Sequence, residues 1–380
     1  MINRLLEKTL KKKFFCGKAL ILVGPRQVGK TTLSKKIIND FKEKKYKIKK
    51  INCDNPTERK MLLDKDLEYL IKLVGDANII FIDEGQKVES IGQTIKLLVD
   101  YYGKKIQILV TGSSSFNLLD KTQETLTGRK YVYKLYPFSF AELYGDDFMQ
   151  ATKELEQHLI YGNYPDIVIH QKTFIDKRES LEEISSSQLY KDILEFQEIK
   201  NSNILRSLLE SLALQLGSEV SYTELASIIG INKNTVERYI DLLEKNFVIF
   251  RLHPYAKNKR RAIKKSKKIY FYDLGVRNTL INNFNPLNLR NDVGGLWENF
   301  IIIERIKKQS YKRIYSNNYF WRSYDGQEID WLEERDSKLY SYEFKWKTHK
   351  KIKPPKLWLN TYTKAKFQVI TPRNYLDFIV

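Results

Sequence analysis

Lys18 to Leu33 reads KALILVGPRQVGKTTL, and the architecture of the chain turns on it. Lys18 to Val23 is a short apolar run of strand length. Leu33 to Lys45 is rich in helix formers. Between them, Gly24 and Gly29 bound a loop of Pro25, Arg26, Gln27 and Val28 that can turn tightly enough to aim successive backbone N–H groups, and the helix N-terminus, at an anion. Lys30 is spaced to reach the β- and γ-phosphates of a nucleotide, Thr31 to offer a hydroxyl to Mg²⁺, and Thr32 to touch the α-phosphate. Strand, loop and helix together predict ATP and Mg²⁺ as cofactors.

A second apolar run, Asn78 to Ile82 (NIIFI), ends in Asp83-Glu84. Carboxylates at the C-terminal end of a buried strand face the phosphate site, so Asp83 is expected to hold Mg²⁺ and Glu84 to act as general base towards the attacking water. A third run, Ile106 to Val110, leads into Thr111-Gly112-Ser113-Ser114-Ser115. Small hydroxyls there suit a sensor of the γ-phosphate, and Ser113 is the choice.

The segments GPRQVGKTT (24–32), IIFIDEGQ (79–86), VTGSSS (110–115), LTGRKYVYKLYPFSFAEL (126–143) and YGNYPDIV (161–168) together resemble a family of bacterial and archaeal ATP-binding proteins of the AAA+ class. The resemblance implies an α/β P-loop core with a parallel sheet, ATPase activity, and a role for Arg129 as an arginine finger on a neighbouring subunit's nucleotide. It also implies a homo-oligomer, a dimer or a hexameric ring. Gly85 departs from the pattern, which leads one to expect a larger residue between the acidic pair and Gln86.

Composition narrows the field. With 66 Lys+Arg against 46 Asp+Glu, the formal net charge is +20, which points to a polyanionic partner, DNA first. The longest apolar stretches are far short of the roughly 20 residues of a spanning helix, and Met1 to Lys13 lacks a signal-peptide core. No membrane partner and a cytoplasmic location are expected. Two cysteines, Cys16 and Cys53, and four scattered histidines supply neither a disulfide framework nor a zinc site; both thiols are expected to be buried.

Residues 1–145 are assigned to the ATPase core and 146–200 to a helical lid or linker, with Gly162-Asn163-Tyr164-Pro165 as a turn between helical runs. Residues 201–285 read as a winged helix-turn-helix. Ser221 to Glu244 gives a helix, a turn at Gly230 and a second helix capped by Asn232. Leu225, Ile228, Ile231, Val236, Ile240 and Leu243 are its expected core, leaving Lys233, Asn234, Thr235 and Arg238 outward towards DNA. The run from Lys257 to Lys268, with Lys259, Arg260, Arg261, Lys264 and Lys265 at its centre and Lys267-Lys268 at its end, is the expected phosphate-gripping wing.

Residues 286–380 carry Glu298 on a helix, a hairpin turning at Asp325-Gly326, and strands bearing Asp330 and Glu343-Phe344-Lys345. This resembles a restriction-endonuclease-like, PD-(D/E)xK core. The resemblance implies that Asp330 and Glu343 bind Mg²⁺, that Lys345 orients the attacking hydroxide, and that Glu298 adds an outer metal ligand. The expected activity is thus a Mg²⁺-dependent ATPase acting on DNA, with nuclease chemistry as an added option. Two other readings fit the same residues: a nucleotide-dependent protein-binding switch with an inert C-terminal core, and a motor on Holliday junctions or other branched DNA.

Overall fold

The structure is a computed structural model describing residues 2–113, 125–189, 202–256, 267–347 and 352–380. Contacts divide the chain into two compact units, Met1–Pro137 with Lys245–Phe247, and Phe138–Glu244 with Val248–Val380.

The first unit runs α1 (Leu6–Lys11), β1 (Ala19–Val23), α2 (Lys30–Glu43), β2 (Ile48–Asn52), α3 (Pro56–Lys60), α4 (Leu67–Val74), β3 (Ile79–Asp83), α5 (Ile91–Tyr102), β4 (Gln107–Gly112) and β5 (Lys130–Lys134). Its five strands form one sheet in the order β2-β3-β4-β1-β5, and every pairing is parallel. Every residue of β1 and β4 is buried, as strands covered on both faces must be. Each such Leu, Ile or Val stabilises the fold by about 1.5–3 kcal/mol.

Register brings the functional ends level, since Val23 lies opposite Gly112 and Asn52 opposite Asp83. The two strands that periodicity does not announce, β2 and β5, are the edges of the sheet. Their lysines sit at half-buried or exposed positions, so neither reads as an apolar run. Helix α2 starts at Lys30 rather than Leu33, after Gly29 at φ 90°, so Lys30, Thr31 and Thr32 are its first turn. Leu33, Ile37 and Ile38 form its buried stripe.

The second unit runs α6 (Phe140–Leu143), α7 (Phe148–Tyr161), α8 (Pro165–Ile169), α9 (Phe174–Glu183), α10 (Ser202–Leu214), β6 (Glu219–Val220), α11 (Tyr222–Ile229), α12 (Lys233–Lys245), β7 (Ile249–Pro254) and β8 (Lys267–Phe271). It continues with α13 (Leu274–Leu280), α14 (Val293–Lys312), β9 (Asn317–Arg322), β10 (Glu328–Arg335), β11 (Lys338–Phe344), α15 (Lys356–Thr361), β12 (Lys366–Ile370) and α16 (Tyr375–Ile379). Among the described residues, no helix is long and apolar enough to cross a membrane.

The YGNYP turn has a concrete cause. A Cβ at Gly162 would lie 2.0 Å from Asp273 Oδ1, because that carboxylate is drawn in to accept from Asn163 N (2.7 Å) and to cap α13 at Val276 N (3.2 Å).

In α11 and α12 the buried residues are Tyr222, Leu225 and Ala226, then Val236, Tyr239, Ile240, Leu242 and Leu243. Ile228, expected in that core, is 62% exposed, and Ile231 is half-buried. At about 100° per residue, the stripe through 222, 225, 226 and 229 leaves position 228 roughly a third of a turn away. Gly230 closes α11 in the left-handed region, and Asn232 Oδ1 accepts from Thr235 N at 2.8 Å to open α12.

All seven strands of this unit belong to a single sheet, ordered β12-β11-β10-β9-β7-β8-β6. The three strands around the helix-turn-helix join the four C-terminal ones where β7 runs parallel to β9, His253 opposite Tyr319 and Pro254 opposite Phe320. Helix α14 is fixed to β10 by a buried fork: Arg305 Nε and Nη2 reach Glu333 Oε1 and Oε2 at 2.6 and 2.9 Å, and Trp331 Nε1 donates to the same carboxylate at 3.0 Å.

The pairing of β10 with β9 slips between Ile329 and Leu332. These two residues, three apart, therefore pack in one cluster with Trp321 and Trp358, which a plain period of two forbids. A bulge of this kind re-aims the residues inside it, here Asp330 and Trp331.

Replacing Leu225 by Ala should cost about 2–5 kcal/mol in chemical denaturation, whereas Ile228→Ser should stay within about 0.5 kcal/mol of the parent. Equal losses at the two positions would contradict the helix packing described above.

Candidate functional site

The sharpest constraint in the first unit is at the end of β1. A Cβ on Gly24 would fall 2.0 Å from the carbonyl oxygen of Leu135, whose own N–H donates to Val23 O at 2.8 Å. Only glycine fits there. From that point the loop turns through Gln27, at φ 57°, and over buried Val28 into α2, while Arg26 and Thr31 are half-buried and Thr32 is exposed. Lys30 folds back over its own loop, donating to Gly24 O at 2.9 Å and Pro25 O at 2.7 Å.

Thr31 Oγ1 donates to the Asp83 carboxylate, 3.0 Å from Oδ1 and 3.1 Å from Oδ2. Thr111 Oγ1, from β4, donates to the same Oδ1 and accepts from Glu84 N at 3.3 Å. A hydroxyl and a carboxylate side by side at the first turn of a helix suit an ion that keeps most of its water and takes its remaining ligands from phosphate. Thr31 and Asp83 therefore fit Mg²⁺.

Glu84 stands just beyond β3 in the left-handed region, φ 53°. Gln86 Nε2 donates to Glu84 Oε2 at 2.5 Å and to Ser113 Oγ at 3.0 Å. Lys30, Thr31, Asp83, Glu84 and Ser113 thus come together at one edge of the sheet. Thr111 and Gln86 are added to the set. Both lie inside the quoted motifs, and their position next to Gly112 and Glu84 was the available signal.

In the second unit, Lys268 sets the arrangement. The lysine-rich run predicts it on the wing, yet its side chain is only 3% exposed. Its ammonium lies 3.0 Å from Glu298 Oε1 and also pairs with Glu328. Tyr270 OH donates to the same Glu298 oxygen at 2.6 Å. Glu298 is accordingly held by Lys268 and Tyr270.

Asp330 Oδ2 accepts from Phe344 N at 2.8 Å, and Lys345 pairs with Glu343 at 2.6 Å. Burial, and next the charge of Glu298, push the Asp330 carboxyl well above the usual carboxylate range; burial and then Asp330 raise that of Glu343. Four carboxylates, Glu298, Glu328, Asp330 and Glu343, face two ammoniums, Lys268 and Lys345. Protons or a divalent cation would close that balance. Among the described residues no three His, Cys, Asp or Glu side chains converge on one metal position.

Residues 17–144 match a family model described as an AAA domain. This part of the chain is similar to that domain. Two domains of unknown function follow, at 152–287 and 293–374. An uncharacterized protein of Mycobacterium tuberculosis is 24% identical over 338 residues, covering 88% of this chain and 72% of its own length. One of Haemophilus influenzae is 28% identical over 283 residues, covering 70% and 66%. Among solved structures, AMPPCP-bound DnaA from Aquifex aeolicus shows 14% identity and a TM-score of 0.33, covering 63% of this chain and 86% of its own.

Within the first unit, Arg129 precedes β5 and its Nε lies 2.5 Å from Asp100 Oδ1 on α5; among the described residues it is not hydrogen-bonded to Lys30 or Asp83. On the exposed face of the helix-turn-helix, Lys233, Asn234 and Arg238 are exposed and Thr235 half-buried. Lys259, Arg260, Arg261, Lys264 and Lys265 lie outside the described residues.

The cysteines differ. Cys53 is buried in the first unit, and burial, with the Asp83 charge next, pushes its thiol up to about 12. Cys16 is half-exposed in the turn between α1 and β1. At pH 8 a thiol titrating near 12 is thiolate in about one molecule in 10⁴. A maleimide should therefore label Cys16 within minutes and leave Cys53 unmodified in the folded protein, as peptide mass mapping would report.

Proposed function

We propose that this chain is a Mg²⁺-dependent ATPase that acts on DNA. The observation that carries the reading is the convergence of Thr31, Asp83 and Thr111 beside Lys30 and Glu84 at the C-terminal edge of a parallel sheet. Backbone N–H groups of residues 24–32 and the N-terminus of α2 bind the phosphates. Lys30 exchanges the carbonyls of Gly24 and Pro25 for phosphate oxygens. Thr31 and Asp83 hold Mg²⁺, which when bound neutralises charge on the transferred phosphoryl group. Glu84 takes the proton of the attacking water.

Arg129 is proposed to serve a neighbouring copy, in a dimer or a ring. Its present partner, Asp100, forms an exposed ion pair with it, a kind that contributes little to stability, so release on assembly costs little.

DNA is the proposed partner of the second unit. The order α10, β6, α11, α12, β7, β8 supports a winged-helix reading, with Lys233, Asn234, Thr235 and Arg238 on the open side of α12. At the C-terminal cluster, a divalent ion on Asp330 and Glu343 would supply Lewis acidity. Lys345, paired with Glu343, would orient the hydroxide, and the two-charge deficit of the cluster supports this second site.

Lys30→Ala should abolish binding of Mg²⁺-loaded fluorescent ATP, while Glu84→Gln should bind normally and hydrolyse at least about 10²-fold more slowly. A parent that does not hydrolyse ATP, or two variants that turn it over as fast as the parent does, would refute ATP hydrolysis at this site. Six or more phosphate contacts predict that duplex affinity drops roughly 10³-fold between 50 and 200 mM salt, and a flat salt series would remove DNA as the partner. With Mn²⁺ and branched or plasmid DNA, the parent should nick where Lys345→Ala does not; identical patterns would dismiss cleavage.

A further inference from the structure

We propose that Gln86 is a positioning residue that aims the Glu84 carboxylate and links it to Ser113, so that the hydrolytic base is set by what the end of β4 meets. This rests on the reading of Glu84 as that base. Gln86 lies in the tight turn Gly85–Lys87 directly after β3 and is 7% exposed. An amide nitrogen carries two N–H groups. One goes to Glu84 Oε2 at 2.5 Å and the other to Ser113 Oγ at 3.0 Å.

The geometry makes the amide the controlling member. Glu84 is pinned at its backbone, with φ 53° and its N–H on Thr111 Oγ1, so its carboxylate is directed by side-chain torsions and by whatever grips it. Gln86 grips Oε2 and leaves Oε1 for a water. Ser113 is buried and accepts from Gln86, which leaves its own proton to donate. The strand end beside it is the edge where Lys30 and Asp83 stand, so an incoming phosphate oxygen is the acceptor that hydroxyl would find. A pull on Ser113 is passed through a buried amide to the base. Hydrogen bonds arranged in such a chain stiffen and polarise one another.

The test uses the full chain with Gln86→Ala, Gln86→Asn, Ser113→Ala and Glu84→Gln, measuring kcat, KM, affinity for Mg²⁺-loaded fluorescent ATP, and melting temperature. Gln86→Ala should lower kcat about 10- to 100-fold, a part of the 10²–10⁴ that a general base contributes, with nucleotide affinity and melting temperature unchanged. Gln86→Asn keeps the amide but is one methylene short of spanning both partners, and should fall similarly; it carries the test if the alanine variant is poorly folded. Combining Gln86→Ala with Ser113→Ala should cost no more than the worse single change, because both break one chain.

A Gln86→Ala or Gln86→Asn kcat within twofold of the parent overturns the proposal. So does a loss of nucleotide affinity matching the loss of kcat, since that marks a merely structural turn. Glu84→Gln separates the two levels. If hydrolysis survives that change the underlying reading has failed, and if Glu84→Gln is inactive while Gln86 variants are normal only the present inference falls.

Discussion

Asp83 is where the first unit is tied together. Its carboxylate takes hydroxyl protons from Thr31 on α2 and from Thr111 on β4, while its own strand supplies the backbone to which Cys53 N donates at 3.0 Å. Three elements distant in sequence thus meet on one charged group. The parallel register is what makes the meeting possible, because it ends β1, β3 and β4 along one edge. Gly24 completes the arrangement by letting the chain pass against Leu135 O where any side chain would collide. The site depends less on any single residue than on strands that end level with one another.

The second unit is organised by buried charge. Arg305 and Glu333 clamp α14 to β10, and Lys307 pairs with Glu304 on the same helix at 2.7 Å while donating to Phe138 O at 2.9 Å. Removing one partner of such a pair strands a charge at a cost of about 3–5 kcal/mol. Helix α14 is therefore held rigidly, and it is this helix that delivers Glu298 to Lys268 and Tyr270.

Much of the nucleotide site was legible in the sequence because it is local. Glycines, a lysine and threonines within nine residues, and an acidic pair ending an apolar strand, report their geometry without knowledge of the rest of the chain. Buried strands β1, β3 and β4 were readable for the same reason. Edge strands β2 and β5 were not, since lysines at half-exposed positions hide the pattern.

Ile228 misleads because counting by threes and fours along α11 permits two overlapping stripes, and only the packed structure selects one. Lys268 was invisible in another way. It sits in a string of similar cations, and its partners are 30 and 60 residues downstream. The slip in β10 cannot be read at all from alternation, because alternation is what it breaks.

The junction of β7 with β9 has a consequence for how this protein can be taken apart. A fragment ending ahead of Asn317 would leave the outer ladder of β7 without its neighbour at His253 and Pro254, and would strip Tyr255 of Tyr319, Trp358 and Tyr362. Bare ladders invite pairing with foreign chains. The helix-turn-helix and the acid-bearing strands share one sheet, and a cut between them bares its middle.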